Sequence, residues 1–365
     1  MKTKIIIHCC CSLILAIALS GWTTTTAQAQ SAATKSDTQI PLEGLDPVLL
    51  SQGKEVQGDM KFTVTRGRFQ YLFANAEDKA TFENDPARYE IQLNGYCARM
   101  GAPNTGDPDL YAVHNGRIYI FGSEECQRVF KAAPEKYLEV PAPPKTPPTA
   151  EMVKRGQALI AKAVAALGGA KLDQLTSLQR TNARGDEAKS ALLLSFPDWI
   201  RQETIRPTFT LVFVVSPSES FVLANNHVNA MSEANRNAIT NDLNHDLIVL
   251  LRARTRSDFK VAATGKTEAS QEFVDVELGS FTTTLGIDPS TGRVLSQTYH
   301  GRGPGGVLGW IAINYSDFRD TNGLSLPYKL TATFDGQPFP PLSATVETMT
   351  LNGQIDASSF KKPKS

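Results

Sequence analysis

The chain has 365 residues, with 37 Lys and Arg against 37 Asp and Glu, and 41% hydrophobic residues. So even a balance excludes the clustered cationic surface that would attract nucleic acid or a polybasic contact with a membrane. A chain this long exceeds one ordinary core, so two domains are expected.

At the N-terminus, Lys2 and Lys4 precede an apolar stretch from Ile5 to Leu19, Ser20-Gly21 breaks it, and Ala27 and Ala29 follow. A positive start, an apolar middle and small residues at −3 and −1 predict a secretory signal, residues 1–29, cleaved after Ala29. The stretch falls short of the roughly 20 apolar residues of an anchor helix, and His8 and Ser12 interrupt it. No transmembrane segment is therefore expected after cleavage. Cys9, Cys10 and Cys11 open the apolar core instead of following it, so no acyl anchor is expected either. The mature chain keeps 35 bases and 37 acids and is expected in the periplasm or outside the cell. Residues 30–41, rich in Ser, Thr, Ala and Gln, read as a flexible lead-in.

Residues 42–138 contain a repeat. Phe73, Phe82, Pro86 and Tyr89 recur as Phe121, Phe130, Pro134 and Tyr137 at a constant offset of 48. Each unit reads as a strand with alternating aromatics, a turn capped by Asn75 or Ser123, and a short helix ending near the proline. Units this small cannot bury their apolar faces alone, so the two copies are expected to share one core. Together with Gly44-Leu45-Asp46-Pro47-Val48, Gly95-Tyr96-Cys97-Ala98 and Gly106-Asp107-Pro108-Asp109, this pattern resembles the YHS domain family, small modules related to heavy-metal-associated cysteine domains. Metal-binding relatives carry Phe-Cys-Ser-x-x-Cys where this chain has Phe121-Gly122-Ser123-Glu124-Glu125-Cys126, so the first ligand position is a glycine.

Cys97 and Cys126 are the cysteines that remain after processing. An oxidising compartment favours a disulfide between them, and the resemblance implies a soft or transition metal instead; buried separate thiols are the third reading. A metal needs three or four donors. The nearest histidine, His114, stands before the turn pair Asn115-Gly116 and is expected to be exposed. If free, Cys126 at a helix N-terminus would be the more reactive thiol.

Five prolines between Pro141 and Pro148 place an extended spacer at 139–149. Beyond it, residues 150–167 carry apolar residues at helical spacing and end at Gly168-Gly169. A short helix around residues 172–175 leads into a long run of strands. Val274, Val276 and Leu278 alternate with acids, and Leu330, Ala332 and Phe334 alternate with Thr and Asp, each the mark of a strand buried on one side. Asp288-Pro289-Ser290-Thr291-Gly292 predicts a hairpin turn. Residues 232–256 read as one inserted helix with Arg252, Arg254 and Arg256 at its negative end and His245-Asp246 on its solvated face.

A leading helix, many antiparallel strands and a helical insertion, with Tyr315-Ser316-Asp317-Phe318, Gly323-Leu324-Ser325-Leu326-Pro327 and Phe360, resemble the LolA/LolB-like superfamily of lipoprotein carriers over residues 150–362. The resemblance implies a curved antiparallel half-barrel whose concave face holds an acyl chain or similar apolar ligand. The whole is thus expected to be α+β: a YHS-like module followed by a LolA-like half-barrel. Trp199, Phe209, Phe213, Trp310 and Phe334 are core-packing residues or, in part, the lining of a ligand cleft.

Three other motifs are weighed. Gly301-Arg302-Gly303-Pro304-Gly305-Gly306 fits G-x-G-x-x-G, but a strand follows it and Pro304 removes a donor, so it reads as a mobile loop at the barrel mouth. No Ser occupies a G-x-S-x-G turn, and His227, His245 and His300 lack metalloprotease spacing. The resulting expectation is a non-catalytic binding protein for an apolar or lipid-like ligand. Its alternatives are a metal-handling or thiol-redox module centred on Cys97 and Cys126, and an envelope enzyme of unstated class.

Overall fold

The computed structural model describes residues 38–139, 146–225 and 227–363. The expected signal sequence, most of the lead-in and the centre of the proline-rich spacer lie outside the described residues.

The first part of the chain contains α1 (Pro47–Ser51) and two antiparallel hairpins, β1 (Asp59–Arg66) with β2 (Phe69–Phe73) and β3 (Asp107–His114) with β4 (Arg117–Phe121). Each hairpin leads into helix: α2 (Ala76–Asn84) and α3 (Pro86–Tyr89) after the first, α4 (Glu124–Ala132) after the second. The Asn75 carboxamide accepts from Glu77 and Asp78 N–H, and the Ser123 hydroxyl accepts from Cys126 N–H, so both expected caps start their helices. The two copies do not share a single core. Alternation along β4 sends Ile118 and Ile120 to one side, among Phe69, Tyr71, Phe73 and Phe82, and Tyr119 and Phe121 to the other, among Cys97, Cys126, Phe130 and Tyr137. One strand therefore serves as the wall of two small cores. Asp46 ties the first together: fully buried, its carboxylate accepts from Val48, Leu49 and Ala74 N–H.

After Thr149, which caps it, α5 (Ala150–Leu167) runs to Gly168, whose φ of +146° ends it, and α6 (Ala170–Asp173) follows. Then come β5 (Ser177–Arg184), β6 (Lys189–Ser195), β7 (Trp199–Arg206), β8 (Phe209–Val215), β9 (Ser220–Ala224) and β10 (His227–Ala230). The helical insertion holds α7 (Glu233–Asp242) and α8 (Leu247–Arg252). The chain resumes with β11 (Phe259–Glu268), β12 (Gln271–Leu278), β13 (Phe281–Ile287), β14 (Val294–Arg302), β15 (Leu308–Thr321), β16 (Leu324–Phe334), β17 (Gln337–Pro338) and β18 (Ala344–Leu351).

These strands form one large, curved, open antiparallel sheet, ordered β10-β9-β8-β7-β6-β5-β18-β16-β15-β14-β13-β12-β11, with β17 beside β16. The order explains the insertion. The chain walks out to one edge at β10 and resumes at the opposite edge, β11, so the connection must cross the sheet. It crosses on the inner face, where Ile239, Leu247, Ile248, Leu250 and Leu251 join α5 in a core with Leu178, Leu194 and Ile200 from one half of the sheet and Val274, Leu285 and Ile311 from the other.

The insertion is not the single helix expected. At Asp246 the backbone turns extended (φ −73°, ψ 124°), and its carboxylate caps a new helix by accepting from Ile248 and Val249 N–H. Nor does His245-Asp246 face solvent. Asp246 pairs with Arg180 of β5 at 2.7 Å, and the His245 ring packs against Tyr299 and Phe281. The glycine-rich segment is likewise no mobile loop. Arg302 donates to the carbonyls of Arg99, Gly306 and Tyr137, and the Phe334 ring occupies the space where a side chain on Gly303 would begin.

A second apolar cluster covers the opposite face of β6–β9, where Phe360 and Trp199 meet at 5.2 Å beside Val212, Val214, Phe221 and Leu223. Among the described residues, no helix is long and apolar enough to cross a membrane.

Candidate functional site

Where the β6–β7 connection meets the insertion, the packing is incomplete and leaves a half-open cavity of about 230 Å³. Leu194, Phe196, Pro197, Trp199 and Ile200 form its sheet side; Leu243, Val249, Arg252, Ala253 and Arg256 form its helical side. The β alternation that buries Leu194 and Ile200, with Leu243 before the break at Asp246 and Val249 on α8 beyond it, makes the lining mostly apolar. At ~300–1,000 Å³, sites for whole drug-sized ligands are larger, so this cavity suits a chain or a small ring.

The three arginines closing the insertion differ in their partners. Arg254 grips Asp173 through two hydrogen bonds of 2.8 and 2.6 Å, and Arg256 grips Asp258 at 2.9 and 2.8 Å. Arg252 instead lays its guanidinium 4.1 Å from the centre of the Phe196 ring and donates to the Leu172 carbonyl. Among the described residues it makes no ion pair. Burial lowers its pKa, with Asp173 nearby acting against that, and an arginine so placed still keeps its charge.

Deeper along the inner face lies a polar band. Tyr315 donates to Gln297 Oε1 at 2.8 Å, and Gln297, fully buried, has no partner for its Nε2 among the described residues. Arg180 Nε and His245 Nδ1 are similarly buried without partners. Burial holds the His245 pKa down at about 4, so the imidazole is neutral. Asp242, at the end of α7, is open to solvent yet closely surrounded by protein, which raises its pKa, and Arg184 acts in the other direction.

The structure brings the expected aromatic residues to several places. Trp199 borders the cavity at the start of β7, with its ring packed against Phe360 on the opposite face of the sheet. Phe213 and Phe334 pack against the main core. Phe209 is exposed at the start of β8, with the Arg206 guanidinium 6.0 Å from its ring. Trp310 lies on the opposite face of the sheet, 59% exposed and 5.4 Å from the His300 ring. Sequence reasoning passed over Phe196 and treated Arg252 only as a helix-end charge. Phe196-Pro197 between two apolar runs was the available signal for the first; nothing in the spacing marked the second.

Cys97 and Cys126 are not joined to each other in the structure, and each is 1% exposed in the small core on one side of β4. Burial pushes the Cys97 pKa up. The backbone N–H groups of Gly122, Met100 and Arg99 act against that, and the neighbouring Cys126 adds to it. His114 turns its ring edge-on to Phe130 at 6.3 Å, with Asn115 beside it. No cluster of three or more His, Cys, Asp or Glu side chains among the described residues is placed to hold a metal.

The site and fold define an open antiparallel sheet with helices packed in its concave face. No family model matches the chain, and no curated protein matches it. A solved structure of a LolA superfamily protein from Nitrosomonas europaea aligns with 56% of this chain and 97% of its own length, at 13% identity and a TM-score of 0.33.

Proposed function

We propose that this chain is an exported, non-catalytic binding protein that holds an apolar or lipid-like ligand on the inner side of its LolA-like sheet, with the YHS-like segment as an accessory module. The observation that carries the reading is the apolar cavity between the β6–β7 connection and α8, where helix and sheet leave room for a guest. Burial of a hydrocarbon guest there would supply about 0.8 kcal/mol per methylene.

A neutral fluorescent probe, N-phenyl-1-naphthylamine, tests this. The full chain is expected to bind it saturably with enhanced emission. Ala253→Phe, which fills the cavity from its helical wall, is expected to weaken binding at least ten-fold while leaving the melting temperature within a few degrees. Absence of saturable binding by the unaltered chain would defeat the proposal.

A further inference from the structure

We infer that this cavity is built for a single-chain amphiphile with an anionic head group, carboxylate or phosphate, seated on Arg252. The inference rests on the binding reading above and adds the head group and the chain length.

The charge argument comes from the accounting of arginines. Arg254 and Arg256 are satisfied by Asp173 and Asp258, whereas Arg252 faces an apolar cavity with a ring on one side, one backbone carbonyl, and no ion pair among the described residues. Asp173, the acid near Arg252, is already gripped by Arg254, and an anionic oxygen pair is the partner that the planar fork of this half-buried guanidinium fits best. Stacking on Phe196 and the bond to Leu172 fix the orientation of that fork before any ligand arrives. A neutral apolar guest would fill the cavity and leave Arg252 without a direct ion pair; an anionic amphiphile answers both.

The volume sets the chain. A dry cavity of ~150 Å³ accommodates benzene, so one of about 230 Å³ takes roughly nine carbon atoms at the same ratio. Leu194, Ile200 and Val249 would enclose that length. A longer chain would emerge through the open side and gain little, whereas up to that length each buried methylene is worth about four-fold in affinity.

Displacement of N-phenyl-1-naphthylamine by decanoate, decyl phosphate and decanol decides the matter. Decanoate or decyl phosphate is expected to compete at least ten-fold more strongly than decanol, and the stronger of the two anions names the head group. Arg252→Gln is expected to abolish the preference, bringing decanoate, decyl phosphate and decanol within two-fold of one another, and Arg252→Lys to keep part of it. Should Arg252→Gln fail to fold, the ratio in the unaltered chain and in Arg252→Lys still decides. Affinity is expected to rise from hexanoate to decanoate and level off by tetradecanoate. Equal competition by decanoate, decyl phosphate and decanol would overturn the inference while the binding reading stood. So would competition by none of them against a probe that binds. A probe that never binds would remove the binding reading itself.

Discussion

The His245 and Tyr299 rings lie with their centres 3.8 Å apart and their planes 34° from parallel, which places an imidazole from the insertion directly on the inner face of β14. Its Nδ1 is buried without a partner, so protonation would put a charge where nothing among the described residues compensates it.

Acid stability follows from that placement. The folded-state pKa of about 4 lies below the ordinary 6.5, so the unfolded chain binds the proton first. The stabilisation is complete above pH 6.5 and is lost as pH falls toward 4, reaching about 3 kcal/mol at the acid end. Asp242 pulls the other way, since its raised pKa favours the folded state on acidification. Comparing urea midpoints of the unaltered chain and His245→Phe at pH 7.5 and 4.5 isolates the imidazole. The unaltered chain is expected to lose about 2–3 kcal/mol more than the variant; parallel profiles would show that His245 titrates alike in both states.

Gly156 sits in the middle of α5, where propensity alone would favour alanine by about 1 kcal/mol. A Cβ there would stand 2.9 Å from the Ala262 Cα and the Ala263 nitrogen, both backbone atoms of β11. Gly156→Ala is therefore expected to destabilise by about 1 kcal/mol and Gly156→Val by about 3 kcal/mol, as helix and sheet are forced apart. Thermal and urea denaturation measure both. A stabilised alanine variant would mean that α5 shifts without cost.

Local periodicity made much of the fold legible: α5 with its glycine stop, the Asn75 and Ser123 caps, and the alternation of Val274, Val276 and Leu278, all buried, are short-range signals. Long-range partners were not legible. Nothing within residues 232–256 announces that Asp246 will meet Arg180, and without that pairing its capping role is indistinguishable from one more polar residue on a helix. Trp199, expected at the core or a cleft, borders the cavity but turns its ring to Phe360 on the opposite face. Trp310 shows the same limit. Strand alternation assigns it a face, but only the register, Trp310 opposite His300 and Ile311 opposite Phe334, shows which face is inward. Arg252 was invisible as a site because its distinction is a missing counter-ion, a property of three-dimensional surroundings.

Arg302 fastens the sheet to the segment around Cys97. Its guanidinium donates to the Arg99 carbonyl at 2.8 Å, to Gly306 at 2.9 Å and to Tyr137 at 3.2 Å, and it passes so close to Gly101 that any side chain there would collide with it. Each hydrogen bond from a charged donor contributes about 1.5–3 kcal/mol, and the carbonyls left behind would lose a buried partner. Arg302→Met is expected to cost about 3 kcal/mol. Amide exchange around residues 97–106 should accelerate more than exchange in β5–β7. Uniform acceleration would show that Arg302 supports the whole molecule equally.

The thiols give the last test. Modification requires both thiolate and access: Cys97 and Cys126 are each 1% exposed, and burial raises the Cys97 pKa. Reaction with Ellman's reagent at pH 8 must therefore proceed through local opening. If opening costs about 4 kcal/mol, modification is slowed about a thousand-fold relative to a free thiol. The expected outcome is two slow thiols in the folded mature chain and two fast ones in guanidinium without added reductant. Cys126→Ala should remove one of the two and, by opening the core around Phe121 and Phe130, accelerate the other. Zero thiols in guanidinium would establish a disulfide in the isolated protein. Two fast thiols in the folded state would place the pair at an accessible surface, contrary to the packing around β4.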